Sequence, residues 1–405
     1  MRILVISQYF PPDITAAAFR IGDAVEYFHR NENEIRVITA HPHKAIVNSK
    51  SSENEFLKNV FIYRSKTISI GQGGLWRYLF HYFSFVVGCL FSGITLYLKK
   101  WRPEIIWATS PPLFTGISAF LLSKIFKCPF VFDIRDIWPE SAVSAGQIST
   151  SGKAFQFGKF LEVKLYDVAA HLTCVSNAMA DYLRKMTSTP VTAVHNGVRP
   201  VDHLKQRQFF PQKTIMYAGN FGRVQGLEVL IRGFADLQNT DQLNDWKVVL
   251  IGTGAHEIKL KKLISDLYLE KRVDVLSPMT RNRALQEMVS AGILFMNLMP
   301  DKIFELTIPS KVFDYMLAGR PILAGIAGEG KEILKMTGGN LCFEQNNIES
   351  FKTALMTVAS KLSYFEKGAR QNIDFVLTNF MREKGLIKLN AVFDESLNNI
   401  SRKQG

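Results

Sequence analysis

Two doubly wound, Rossmann-like α/β domains are what the sequence predicts, on three observations. Short apolar runs rich in β-formers alternate with longer helical patterns. The alternation breaks once, near residue 200, and then restarts. The strand-like runs are almost continuously apolar. Alternating strands and helices argue for parallel βαβ units. Continuously apolar strands mean that helices cover both faces of each sheet. A length of 405 residues suits about two to three domains.

In the first half, strands are expected at 3–7 (ILVIS), 35–40, 60–64, 104–109, 129–133, 171–175 and 191–195. Helices are expected near 16–30, 75–100, 113–126, 152–168 and 177–187. The first domain is therefore read as 1–197. The stretch 198–213 is polar, holds two prolines, lacks a period and reads as a linker. The second domain, 214–375, offers strands at 214–218, 247–251, 272–275, 293–297 and 321–326, with a short one at 340–343. Its helices fall near 226–238, 255–269, 281–290, 309–318 and 328–336, and the pattern is helical from 348 onward.

Composition narrows the function classes. An apolar fraction of 47% with 21% charged residues describes a well-cored chain and excludes a disordered one. A net charge of +13 favours an anionic partner, either a phosphate-rich substrate or a membrane surface. Nucleic acid is disfavoured, because no helix-turn-helix, zinc-finger or basic–aromatic RNA motif occurs. Cys89, Cys128, Cys174 and Cys342 lie far apart and form neither a zinc set nor a disulfide framework, which points to a reducing compartment. The apolar run after Met1-Arg2 is too short for a signal peptide and reads as a buried strand.

Residues 78–98 carry no formal charge and are long enough to cross a bilayer. A crossing conflicts with strands of one sheet on both sides of the segment. A helix resting on a membrane surface, or packed on the sheet, resolves the conflict. Trp76, Arg77, Lys99, Lys100, Trp101 and Arg102 flank the segment as interfacial anchors would.

In open α/β sheets ligands bind beyond the carboxyl ends of strands. After the first strand come Pro11-Pro12-Asp13 and a helix start of small residues. After 214–218 comes Gly219-Asn220-Phe221-Gly222-Arg223-Val224-Gln225-Gly226, whose glycines allow close approach of backbone to an anion. Arg223 can pair with a phosphate. Gly252-Thr253-Gly254 is a second such turn, and Pro278-Met279 offers a loop for a nucleobase. In 305–321, Pro309, Ser310 and Lys311 open a helix suited to phosphate, and Asp314 one turn on suits ribose hydroxyls. In the first half, Asp133, Arg135, Asp136, Trp138 and Glu140 crowd one strand end, where a base or sugar-hydroxyl ligand is expected. No Asp-x-Asp triplet occurs, so the sequence shows no metal clamp for a diphosphate; helix N-termini and basic side chains must serve instead.

The order of motifs resembles the family 4 glycosyltransferases. The strings are QYFPPD, VFDIRDIWPE, LTCVSNAM, VHNGV, YAGNFGRVQGLEVLI, LIGTGAHEIKL and PSKVFDYMLAGRPIL, which span nearly the whole chain. Within that family the chain is similar to bacterial surface-polysaccharide enzymes, notably the group of N-acetyl-L-fucosamine transferases. The resemblance implies a GT-B fold, two Rossmann-like domains facing across a cleft, with the last helices, about 376–405, packed back on the first. It implies a nucleotide-sugar donor in the C-terminal half and retaining transfer without metal or cofactor. It also implies a polyprenyl-diphosphate-linked acceptor in the N-terminal half, and a cytoplasmic enzyme on the inner face of the membrane. O-antigen, capsule or exopolysaccharide synthesis is the implied setting.

Carried onto this sequence, the resemblance gives catalytic roles to Asp136, Arg223 and Lys311. Donor contacts fall on Gly222, Gln225, Pro278, Met279, Pro309, Ser310 and Asp314, and acceptor contacts on Asp13, Asp133, Arg135, Trp138 and Glu140. The sequence departs from the family where Arg135 replaces a frequent histidine and where Asn220 and Gln225 replace basic residues. The family's paired glutamates become Leu306, beside Glu305, and Asp314. The transfer expected is of an N-acetylated deoxyhexose or hexosamine from a UDP-sugar. Two other readings of the same fold are a sugar-nucleotide 2-epimerase and a non-catalytic scaffold of a polysaccharide-assembly complex.

Overall fold

The computed structural model describes residues 1–13, 15–42, 60–68, 75–144, 146, 148–199 and 212–404, with backbone alone for 75–79 and 400–404. Most of the expected linker, 200–211, lies outside the described residues, as do the side chains of Trp76 and Arg77. The chain divides into two units: Met1–His195 with Glu383–Gly405, and Asn196–Arg382. The return to the first unit thus begins at Glu383, later than the 376 expected.

In the first unit the strands are β1 (Arg2–Ile6), β2 (Glu34–Ala40), β3 (Phe61–Ser65), β4 (Ile105–Thr109), β5 (Phe130–Ile134), β6 (His171–Cys174) and β7 (Val191–Ala193). The helices are α1 (Ala16–Arg30), α2 (Leu75–Leu98), α3 (Phe114–Phe126), α4 (Glu140–Ser144), α5 (Lys153–Val168) and α6 (Asn177–Arg184). The strands are parallel in the order β3-β2-β1-β4-β5-β6-β7. Ile3 stands between Ile35 of β2 and Ile105 of β4, so winding reverses at the β1/β4 seam. That seam is the place where such sheets bind ligands.

Side-chain alternation along the strands separates two cores. Ile3, Val5, Val37, Trp107 and Val131 pack with Ile21, Val25 and Phe28 of α1. The last helix, α15 (Arg382–Gln404), adds Leu386, Leu389, Val392 and Phe393 to the same core. The chain's end is therefore an integral layer of its beginning. On the other face, Gly116 of α3 lies against Phe132 of β5 and Leu165 of α5, and Gly93 of α2 lies against Leu122 of α3.

Helix α2 resolves the apolar segment. Phe85, Val86, Cys89 and Leu96 are buried, whereas Phe80, Phe83, Val87, Phe91, Ile94 and Leu98 are exposed. These six recur every three or four residues and form one uncovered stripe. The buried face also carries His81, whose Nε2 lies 2.6 Å from Gln8 Nε2 and whose Nδ1 lies 2.6 Å from the Ile68 carbonyl oxygen. Gln8 follows β1, so this helix is tied to the ligand-binding edge of the sheet.

The second unit holds β8 (Thr214–Ala218), β9 (Lys247–Ile251), β10 (Val273–Leu276), β11 (Ile293–Asn297), β12 (Ile322–Gly325) and β13 (Asn340–Cys342). They are parallel in the order β10-β9-β8-β11-β12-β13, with the reversal between β8 and β11. Around them lie α7 (Glu228–Leu237), α8 (Glu257–Asp266), α9 (Arg281–Ser290), α10 (Lys302–Glu305), α11 (Ser310–Ala318), α12 (Gly328–Lys335), α13 (Ile348–Ser360) and α14 (Leu362–Asn379). Helices α7, α8 and α13 share a core with Ile215, Leu250 and Phe295. Helices α9, α11, α12 and α14 share the opposite core with Met216, Leu294 and Ala324. The short α4 and α10 and the 3-10 turn Arg223–Gln225 carry too few residues to show a period in sequence.

Candidate active site

In the second unit two glycine turns and one helix start converge at the carboxyl edge. Gly219 donates to the Ile251 carbonyl at 2.8 Å, and Phe221 donates to the Thr253 carbonyl at 2.8 Å. The turns after β8 and β9 are thereby stacked. Gly219 has φ +150°, and a Cβ there would collide with Cε and Nζ of Lys311. Only glycine admits both that backbone conformation and that approach.

Helix α11 begins with Pro309 as its N-cap residue, one position earlier than the first helical turn expected for it. Tyr315 on the same helix uses its hydroxyl to accept from Ala218 N at 3.0 Å. This bond fixes α11 against the end of β8. Lys311, partly buried, sits with Nζ 5.1 Å from the Tyr217 ring centre. Burial pulls its pKa down to about 8, against an opposing pull from Asp314. A desolvated ammonium beside a glycine turn, at a helix N-terminus, is chemically suited to an anion.

Several expected donor contacts are placed differently. Asp314 does not stand open, because Arg281 Nη2 holds its Oδ1 at 2.6 Å. Gln225 turns its Oε1 back to accept from Gly222 N at 3.1 Å, so that N–H is consumed inside the turn. Arg223 is exposed and makes no ion pair among the described residues. Pro278, Met279 and Ser310 are partly buried, and Met279 leans on the core beside α9 and α11. Arg281 was missed in sequence. A signal existed, since a cation in the first turn of a helix opposes the macrodipole and calls for a compensating role.

In the first unit the crowded strand end is a buried charge network. Asp133 is fully buried. Its Oδ2 accepts from Arg135 Nε at 2.6 Å and from Thr109 Oγ1 at 3.1 Å, and its Oδ1 accepts from Thr173 Oγ1 at 2.7 Å. Arg20 Nη2 stands 3.6 Å from Oδ2. Burial raises the Asp133 pKa, but Arg135, Arg20 and these hydrogen bonds more than reverse that, leaving it below the usual range. Arg135 also donates to the Val194 carbonyl at 3.0 Å. Asp133 and Arg135, both expected among the acceptor contacts, here link β4, β5, β6 and the end of β7.

Trp138 packs its ring on Gly158 of α5 and edge-on to Phe114. Glu140 pairs with Lys159 at 2.7 Å. Lys159 also donates to Glu162 at 2.6 Å and to the Tyr182 hydroxyl at 3.1 Å. Burial pushes Glu162 up to about 7 despite that lysine. Trp138 and Glu140 thus fasten the loop to α5 rather than standing free. Asp13 is buried near Arg64, whose Nη2 donates to the Pro11 carbonyl at 2.6 Å. Asp136 is half-buried, and burial raises its pKa even though Ser141 and the Ile137 backbone bond to it. A carboxylate with raised proton affinity at a ligand-binding edge suits a base.

Residues 18–197 match the family described as glycosyl transferase 4-like domain, and residues 201–371 match glycosyl transferases group 1. WcaI of Escherichia coli (strain K12), a protein named for colanic acid biosynthesis, is 23% identical over 345 residues, 79% of this chain and 82% of that protein. Among solved structures, sucrose-phosphate synthase from Thermosynechococcus elongatus has a TM-score of 0.74 at 14% identity, over 98% of both chains. Anabaena HepE, in complex with UDP and glucose, has a TM-score of 0.71 at 15% identity, over 98% of this chain and 100% of its own. The two parallel sheets and these structural neighbours identify the fold as GT-B. The chain belongs to the family 4-like, group 1 glycosyltransferases and is a glycosyltransferase.

Proposed function

We propose that this enzyme transfers a sugar from a UDP-sugar to a polyprenyl-diphosphate-linked oligosaccharide, retaining anomeric configuration and using no metal. The observation that carries the donor half is Lys311 lying over Gly219 at the start of α11. The diphosphate lies against Lys311, Arg223 and the first N–H groups of α11, which stabilise the charge that develops as the nucleotide leaves. The base meets Pro278-Met279 and the ribose meets Asp314. WcaI is named for colanic acid biosynthesis, and HepE is known in complex with UDP and glucose; both fit a nucleotide-sugar enzyme of surface polysaccharide assembly. Asp136 is the base or hydroxyl ligand of the acceptor half.

The test is a panel of UDP-, GDP- and dTDP-sugars with a polyprenyl-diphosphate acceptor, scored by nucleotide release and product mass. One UDP-sugar is expected to give acceptor-dependent UDP release and a product heavier by one sugar. Isomerised donor without acceptor would instead mark an epimerase, and silence with every donor a scaffold.

The acceptor's lipid places the enzyme at a membrane, and α2 is the face that meets it. Six exposed apolar side chains stand in one stripe, with Lys99, Lys100 and Arg102 at its end. Arg102 lies over the Tyr97 ring at 3.6 Å. Aromatic anchors beside cations suit an anionic leaflet surface. Each phenylalanine buried contributes about 1.5–3 kcal/mol. Replacing Phe83 and Phe91 with aspartate should therefore weaken sedimentation with phosphatidylglycerol vesicles by at least about tenfold. Unchanged sedimentation would remove α2 from the membrane contact.

A further inference from the structure

The donor-site carboxylate is shared with a cation that the sequence does not pair with it. Arg281 is the first residue of α9, and Thr280 caps that helix through its hydroxyl. The guanidinium reaches α11, where Nη2 bonds Asp314 Oδ1 at 2.6 Å. The Arg281 side chain is 16% exposed and that of Asp314 is 30% exposed. Arg281 Nε is buried and has no acceptor among the described residues. Arg283 follows in the same first turn, so two cations stand at a helix end whose dipole repels them. The ion pair offsets that placement for Arg281.

A ribose hydroxyl is both donor and acceptor. A lone carboxylate satisfies only its O–H. Asp314 paired with Arg281 offers both partners side by side: an oxygen to accept and a guanidinium N–H to donate. The site also lies one helical turn from Lys311 and next to the Pro278-Met279 loop, where a nucleoside joined to a diphosphate would put its sugar. We propose that Arg281 is a specificity-determining residue that reads the 2′-hydroxyl of the donor nucleotide, so that ribonucleoside diphosphates are taken over 2′-deoxy ones. This rests on the second unit being the donor site. The physical ground is asymmetric, because a site built to hydrogen-bond a hydroxyl leaves its own buried group unpaired when that hydroxyl is missing.

The experiment measures UDP and 2′-deoxy-UDP binding to the full chain by calorimetry, for the wild type, Arg281→Leu and Arg281→Lys. Thermal unfolding of each variant checks that it is folded. The wild type is expected to bind UDP at least about tenfold tighter than 2′-deoxy-UDP. Arg281→Leu is expected to shrink that ratio several-fold by losing UDP affinity, with 2′-deoxy-UDP much less affected, and Arg281→Lys to fall between. Equal wild-type affinity for the two nucleotides overturns the inference and leaves the donor site standing. A ratio that Arg281→Leu does not change overturns it as well. A wild type that binds neither nucleotide overturns the donor assignment, and this inference with it. If Arg281→Leu is unfolded, Arg281→Lys decides: an undiminished ratio there counts against the inference.

Discussion

Replacing Lys311 with alanine is expected to lower kcat by about 10²–10³-fold, the loss typical of one donor aimed at developing charge in a desolvated site. The effect should be large because Arg223 is exposed to solvent and Gln225 consumes the Gly222 N–H inside the turn. Little else in the 219–226 turn can replace a desolvated ammonium. The lysine's pKa, lowered by burial to about 8, adds a signature in pH. The cation is present below about 8 and is lost above it, so kcat/KM should fall as pH rises through that value. The alanine variant should lose this limb. Stability moves the other way. Between about 8 and the ordinary 10.5, the unfolded chain holds a proton that the folded chain has released, so the fold gains stability as pH rises across that window. Near-wild-type turnover in Lys311→Ala would remove the phosphate assignment.

Asp133→Ala should destabilise the first unit by about 3–5 kcal/mol, read as a lower denaturation midpoint. The carboxylate is fully buried between two guanidinium groups and two threonine hydroxyls, and its loss removes their shared anionic partner from the interior. Removing the strongest partner too, in Asp133→Ala with Arg135→Met, should recover part of the loss. The Asp133 pKa is held below its usual range, so this stabilisation is complete above the ordinary aspartate value of about 3.9. It is lost as the pH falls through the lower folded value. A variant as stable as the wild type would show that the network contributes nothing to the fold.

These two residues illustrate what could be read in advance. Lys311 stood out because Pro309-Ser310-Lys311 follows the rules for a helix start, which are local. Asp133 stands out for the same kind of reason, as an acid at a strand end, but the network around it does not. Its partners Arg20, Thr109 and Thr173 come from α1, β4 and β6, and no spacing in the chain announces them. Arg281 was overlooked for the same cause, since Asp314 lies on another helix. Glu140 likewise has its partner, Lys159, on a separate helix, α5.

The strands, the long helices, the restart of the βαβ rhythm and the loops at the strand ends are all legible in the chain alone. Those follow from the period of apolar residues and from glycine and proline, which act over a few neighbours. Tertiary structure alone decided which charges are spent on the fold and which remain for a substrate. It also decided that α2 buries one face and leaves an apolar stripe bare. The reason is that desolvation and ion pairing depend on atoms brought within about 4 Å by the sheet, whatever their separation along the chain.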